Sequence, residues 1–261
     1  MQITNPKIGY AYYPGFSLLF DNPPGRASLK AAGGQGDFLR VHCDLACEPC
    51  KLYQLLAAGV EALARPGGPL GRFTLVKLPP RSYHVTAWDG LSASGTRRVS
   101  RSHARDVKDL LLRLPDSLKA GSPLTELART SALCQAAWDL EFRFRKLYVS
   151  AKGGALIACL KCTDPSRRRY GPFKRQRARL YDAYAQQFGL KGARTRYDPH
   201  VSLAYFASLD EAAQAKRELK GPTCIKAMPG ELKDATIRFT TISLYGFLNM
   251  ATFLKPSCPD C

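Results

Sequence analysis

Two stretches more than a hundred residues apart, YHVTAWDG at 83–90 and DPHVSLAYF at 198–206, carry the same triplet of a histidine, an apolar residue and a hydroxyl residue. Each triplet sits in a run that reads as a β-strand, where residues i, i+2 and i+4 share one face. The alternation predicts His84, Thr86 and Trp88 on one side, with Val85 and Ala87 in a core and Tyr83 turned away from His84. In the second stretch His200, Ser202, Ala204 and Phe206 are expected on one side, and Val201, Leu203 and Tyr205 on the other. A chain that repeats such a strand in each half is expected to fold as two strand-bearing lobes.

The rest of the sequence fits that division. Residues 21–37 are rich in Pro and Gly and read as a loop between strands near Phe16–Phe20 and Phe38–His42. In KLYQLLAAGVEALARP the apolar residues Leu52, Leu55, Leu56, Val60 and Leu63 fall at helical spacing, and Pro66 ends the pattern. RFTLVKL and SYHVTAWDG read as strands joined by Pro79 and Pro80, and 91–104 as an exposed loop. ARDVKDLLLRL and SPLTELARTSA predict short helices, the second capped by Ser122. LEFRFRKLYVS and ALIACLKC, separated by Gly-Gly, have the pattern of a hairpin. A basic helix is expected from Pro172 to Gly189, and SLDEAAQAKRELKG predicts another. TIRFTTISLYGF and ATFLK close the chain as strands. The expected class is α+β: one bilobal domain over 1–261, with approximate lobes 38–135 and 136–254 and the N-terminal strand completing a sheet. Two antiparallel-type sheets would face each other across a central cleft, with helices outside.

Composition narrows the partner. Hydrophobic residues make up 45% and charged residues 23% of 261, enough to bury a full core. Thirty-nine Lys and Arg against 21 Asp and Glu leave +18, an excess that favours a polyanionic partner, nucleic acid ahead of an acidic membrane surface. No run approaches the roughly 18 apolar residues of a membrane span, and the first residues lack the layout of a signal peptide. The expectation is a soluble intracellular protein, cytoplasmic or nuclear, with a monomer favoured. Nine cysteines are then read as reduced thiols.

Two imidazoles beside two hydroxyls suit phosphodiester chemistry. One base must take a proton from the attacking oxygen and one acid must give a proton to the leaving oxygen. An unperturbed imidazole titrates at about 6.5, so neutral and protonated rings coexist near neutral pH. Thr86 and Ser202 are expected to donate their hydroxyls to the non-bridging oxygens. These segments, HVTAW and HVSLAYF, together with the order of elements, resemble the 2H phosphoesterases, the LigT-like or 2′-5′ RNA ligase-like proteins. The resemblance implies a bilobal α+β fold and activity, without a metal or other cofactor, on RNA ends, 2′,3′-cyclic phosphates or short 2′-5′ and 3′-5′ oligonucleotides. By position it implies His84 and His200 as the acid/base pair and Thr86 and Ser202 as phosphate ligands, with acid and base unassigned.

Around this pair, Arg194 and Arg196 precede His200, while Arg97 and Arg98 follow the first motif; all four are expected to meet substrate phosphates. Trp88 and Phe206 fit either stacking on a base or packing at the lobe interface. RRRYGPFKRQRAR at 167–179 reads as a solvated basic helix or a phosphate-tracking surface. CDLACEPC at 43–50 has the C-x3-C-x2-C spacing of a radical-type iron–sulfur motif, and Cys43, Cys47 and Cys50 with His42, or with Cys258 and Cys261, also fit a zinc site. Free thiols at a helix start and a tail are the preferred reading, with no metal expected. An RNA-binding module using the same cleft without turnover is the alternative from another class.

Overall fold

The computed structural model describes residues 11–23, 29–32, 35–192, 196–219 and 228–257. Within them lie eleven strands and six α-helices. One antiparallel sheet contains β1 (Gly15–Phe20), β2 (Leu29–Ala32), β3 (Gln35–Val41), β5 (Thr86–Ser92), β10 (Ile242–Asn249) and β11 (Thr252–Pro256), in the order β2-β3-β11-β10-β1-β5. The other contains β4 (Leu75–Lys77), β6 (Leu140–Ser150), β7 (Ala155–Cys162), β8 (His200–Phe206) and β9 (Thr236–Phe239), in the order β4-β8-β7-β6-β9 and also antiparallel. The class is α+β.

The helices are α1 (Lys51–Ala64), α2 (Arg101–Leu112), α3 (Pro123–Arg129), α4 (Ala132–Gln135), α5 (Arg167–Phe188) and α6 (Leu209–Glu218). The apolar stripe of α1 is buried, and this helix and α6 pack on the second sheet. Helices α3 and α4 pack on β10, with α5 beside them. Ser122 caps α3 as its sequence predicts, its Oγ accepting from the Leu124 amide at 3.3 Å. Gly189 ends α5 at φ 64°, a conformation that only glycine adopts without strain.

Several expected boundaries move. The 21–37 loop contains β2, and the 91–104 loop gives way to a 3₁₀ turn at Ala93–Arg98 and to α2 from Arg101. Helix α5 starts at Arg167, so Pro172 lies inside it. Pro172 is exposed, which lets water take the carbonyl its missing N–H leaves unbonded. TIRFTTISLYGF is two strands: the chain crosses from the second sheet to the first at 240–241. RFTLVKL and the first histidine strand likewise belong to different sheets, β4 having joined β8. The seam between sheets is aromatic. Phe20 of β1 meets Phe239, Phe173 and Phe142 at centroid distances of 4.9, 5.4 and 5.8 Å. Each fully buried ring contributes about 1.5–3 kcal/mol, so this cluster ties the sheets together.

Candidate active site

A cleft of about 1070 Å³ is lined from both sheets, and His84, Thr86, His200 and Ser202 all face it. His84 stands just before β5 and His200 opens β8. Each ring is held the same way. His84 Nδ1 lies 2.9 Å from the Ser82 carbonyl oxygen, and His200 Nδ1 lies 2.9 Å from that of Asp198. A carbonyl only accepts, so Nδ1 carries a proton in each case, which leaves Nε2 as the ring nitrogen open to chemistry. The carbonyl comes from two residues back on both occasions, a local bond that fixes ring orientation before any substrate arrives.

Burial, with the ring 4.1 Å from that of Phe253, pulls the His84 pKa down to about 4, and the nearby His200 charge pulls the same way; the Ser82 carbonyl opposes both. His84 is therefore neutral across the physiological range.

Strand alternation fails immediately after each motif, and in the same manner. Leu19 pairs with Thr86 and Leu18 with Trp88, leaving Ala87 as an extra residue; Ile157 pairs with Ser202 and Leu156 with Ala204, leaving Leu203 extra. A β-bulge of this kind reverses which side later residues face. Trp88 thus turns inward, fully buried against Tyr184 at 4.6 Å and Tyr181 at 5.7 Å, and Asp89 reaches the cleft. Phe206 is likewise buried, beside Phe73 at 6.0 Å, while Tyr205 lines the cleft and hydrogen-bonds Ser202. The expectation that Trp88 and Phe206 share the histidine faces is corrected accordingly. Tyr83 does turn away, packing edge-on to Tyr53.

The arginines divide. Arg98 and Arg196 line the cleft, but Arg98 donates to the Lys191 and Gly192 carbonyls at 3.1 and 3.0 Å, and Arg196 Nε pairs with Asp198 at 2.9 Å. Arg97, in the 3₁₀ turn Ala93–Arg98, does not line the cleft. Arg194 lies outside the described residues.

Two residues that the motifs did not single out grip the first motif. Tyr197, three residues before His200, donates its hydroxyl to the Thr86 carbonyl at 2.9 Å. Arg177 of α5 is buried, and its Nε donates to the Ala87 carbonyl at the bulge, 3.0 Å away. Its guanidinium lies 3.7 Å from Asp89 and over the rings of Tyr181 and Tyr197 at 4.9 and 5.0 Å. A buried cation is retained only with such partners. The approach to the second motif is thus hydrogen-bonded to the backbone of the first. A signal for Arg177 exists in the sequence: it falls on the stripe Phe173, Leu180, Tyr181, Tyr184, Phe188, where α5 is otherwise apolar.

Just before α1, the Cys43 thiol donates to Cys50, and this bond and burial raise its pKa. Cys47 bonds Asp44 at 3.3 Å. Among the described residues no group of three or more His, Cys, Asp or Glu side chains is disposed to hold a metal ion, and no helix is long and apolar enough to cross a membrane. Cys258 and Cys261 lie outside the described residues.

No family model matches the sequence, and no curated protein sequence matches it. Among solved structures, a conserved protein of unknown function from Agrobacterium tumefaciens, ATU0111, is similar over 97% of this chain and 88% of its own, at 14% identity and a TM-score of 0.49. Usb1 of Kluyveromyces marxianus aligns over 94% and 98%, at 12% identity and a TM-score of 0.40. TT0787 of Thermus thermophilus aligns over 94% and 95%, at 12% identity and the same score. Likenesses this distant assign no chemistry, which rests on the cleft itself.

Proposed function

We propose that the protein is a phosphodiesterase acting on RNA ends, 2′,3′-cyclic phosphates or short 2′-5′ or 3′-5′ oligonucleotides through His84 and His200. One observation carries this reading: two histidines, one just before β5 and one opening β8, each fixed at Nδ1 by the carbonyl two residues back, line one cleft beside a hydroxyl residue. His84, held neutral, takes the proton of the attacking oxygen. The other transfer falls to His200, which gives its proton to the leaving oxygen. On a 2′,3′-cyclic phosphate, water attacks phosphorus and one ribose oxygen departs. Thr86 and Ser202 donate to the non-bridging oxygens, where negative charge gathers in the transition state. Each proton transfer contributes roughly 10²- to 10⁴-fold. Because side chains supply both, turnover is expected to withstand a chelator.

The test is a panel of 2′,3′-cyclic nucleotides and 2′-5′ and 3′-5′ oligonucleotides, with the His84→Ala/His200→Ala double variant as blank. Turnover of a panel member by the wild type alone supports the reading. Binding of RNA without turnover across the panel refutes it in favour of a non-catalytic module, and loss of turnover on EDTA treatment would point to a metal enzyme.

A further inference from the structure

The strand register carries the site beyond the histidines. Lys146 of β6 pairs with Cys159 of β7, which pairs with His200 of β8; Tyr148 pairs with Ile157, which pairs with Ser202. Two parallel rows therefore run across the second sheet, each starting at a motif residue and ending on β6. Neighbouring strands lie about 4.8 Å apart, which puts the β6 ends of the rows roughly 10 Å from the motif backbone. That is past the reach of a mononucleotide's reacting phosphate and within reach of the next nucleotides of a strand.

The far ends suit such a strand. Tyr148 is 38% exposed and lines the cleft; the other exposed large hydrophobic residues among those described, Tyr12 and Leu112, do not. The Nζ atoms of Lys146 and Lys216 lie 5.8 and 5.2 Å from its ring centroid, and Lys216 donates to its hydroxyl at 3.3 Å. A bulge at Arg145, between the pairs Phe144–Leu160 and Lys146–Cys159, brings Arg145 to the cleft as well, and Lys152 joins it from the hairpin turn. An accessible aromatic ring among cations is the arrangement that holds single-stranded nucleic acid, with bases stacking and phosphates paired to ammonium groups.

We infer that the β6 side of the cleft is a track for a single-stranded oligonucleotide, in which Tyr148 stacks a base beyond the reacting phosphate and Arg145, Lys146 and Lys152 meet its backbone. This rests on the proposed function and narrows its substrate to a strand rather than a free cyclic nucleotide.

The experiment compares kcat/KM for uridine 2′,3′-cyclic monophosphate with that for a uridine pentamer ending in the same cyclic phosphate. The wild type is expected to favour the pentamer by at least about tenfold, and Tyr148→Ala to cut that ratio by roughly 5- to 150-fold, the fold equivalent of one lost stack. Tyr148→Trp, which keeps a ring, is expected to retain most of it. A ratio unmoved by Tyr148→Ala overturns the track while leaving the proposed function standing. If the wild type turns over neither substrate, the proposed function is decided by the wider linkage panel, and fluorescence anisotropy with the labelled pentamer decides the track alone. Weaker binding by Tyr148→Ala then supports it, and equal binding overturns it.

Discussion

A backbone carbonyl two residues upstream does for each histidine what a carboxylate does in many acid–base sites: it selects the tautomer and aims the ring. At His84 the carbonyl favours the protonated ring, but burial and the His200 charge outweigh it and hold the pKa down. The base is active when deprotonated, so kcat/KM is expected to rise with pH through about 4, well below the ordinary imidazole range, and to fall again where the acid loses its proton; a pH–rate profile of the free enzyme checks this. Replacing either His84 or His200 by Ala is expected to lower kcat by roughly 10²- to 10⁴-fold with folding intact by circular dichroism. Both histidines were legible in the sequence, because a triplet repeated inside alternating runs marks which residues share a face. Trp88, Phe206, Asp89 and Tyr205 were not. Whether a strand carries an extra residue is decided by its pairing with Leu18–Leu19 or Leu156–Ile157, which the strand's own sequence does not display.

Among elements, the matched bulges do the positioning. Each releases the strand from strict alternation directly after its hydroxyl residue, and the carbonyls of Thr86 and Ala87 are then held by Tyr197 and Arg177. Tyr197→Phe removes one hydrogen bond and no packing, so it is expected to lower kcat several-fold while KM changes little; equal losses in binding and turnover would argue against a positioning role. A second peg closes the first sheet. Burial alone would raise the Asp21 carboxyl, but Lys255 at 3.2 Å and the hydroxyls of Tyr245, Ser243 and Thr241 at 2.5, 2.8 and 2.8 Å outweigh it and hold the group below its usual range. A lowered carboxylate pKa stabilises the fold above the unfolded value and is lost as pH falls through the folded one. Asp21→Asn is expected to cost about 1–3 kcal/mol by urea denaturation at pH 7, and to flatten the loss of stability in acid. Most helices were visible as periodic stripes. The exchange of strands between sheets was not, since β4 and β10 are assigned by distant partners rather than by local pattern.

For the molecule as a whole, a net charge of +18 and cationic residues lining the cleft, including Arg145, Lys146 and Lys152, favour a polyanion over a neutral ligand. Oligonucleotide binding is expected to weaken linearly in log K against log salt, with a slope near −0.7 for each phosphate engaged, as titration between 50 and 200 mM salt would show. The cleft exists because two sheets, each carrying one histidine, are clamped by the aromatic seam around Phe20. The central claim is that these rings flank a single phosphorus atom, and a crystal structure with uridine 2′,3′-vanadate in the cleft tests it most directly. The account predicts His84 Nε2 and His200 Nε2 each within about 2.6–3.2 Å of an oxygen, on opposite sides of the vanadium. Both rings on one side of it, or the analogue bound away from either ring, would contradict it.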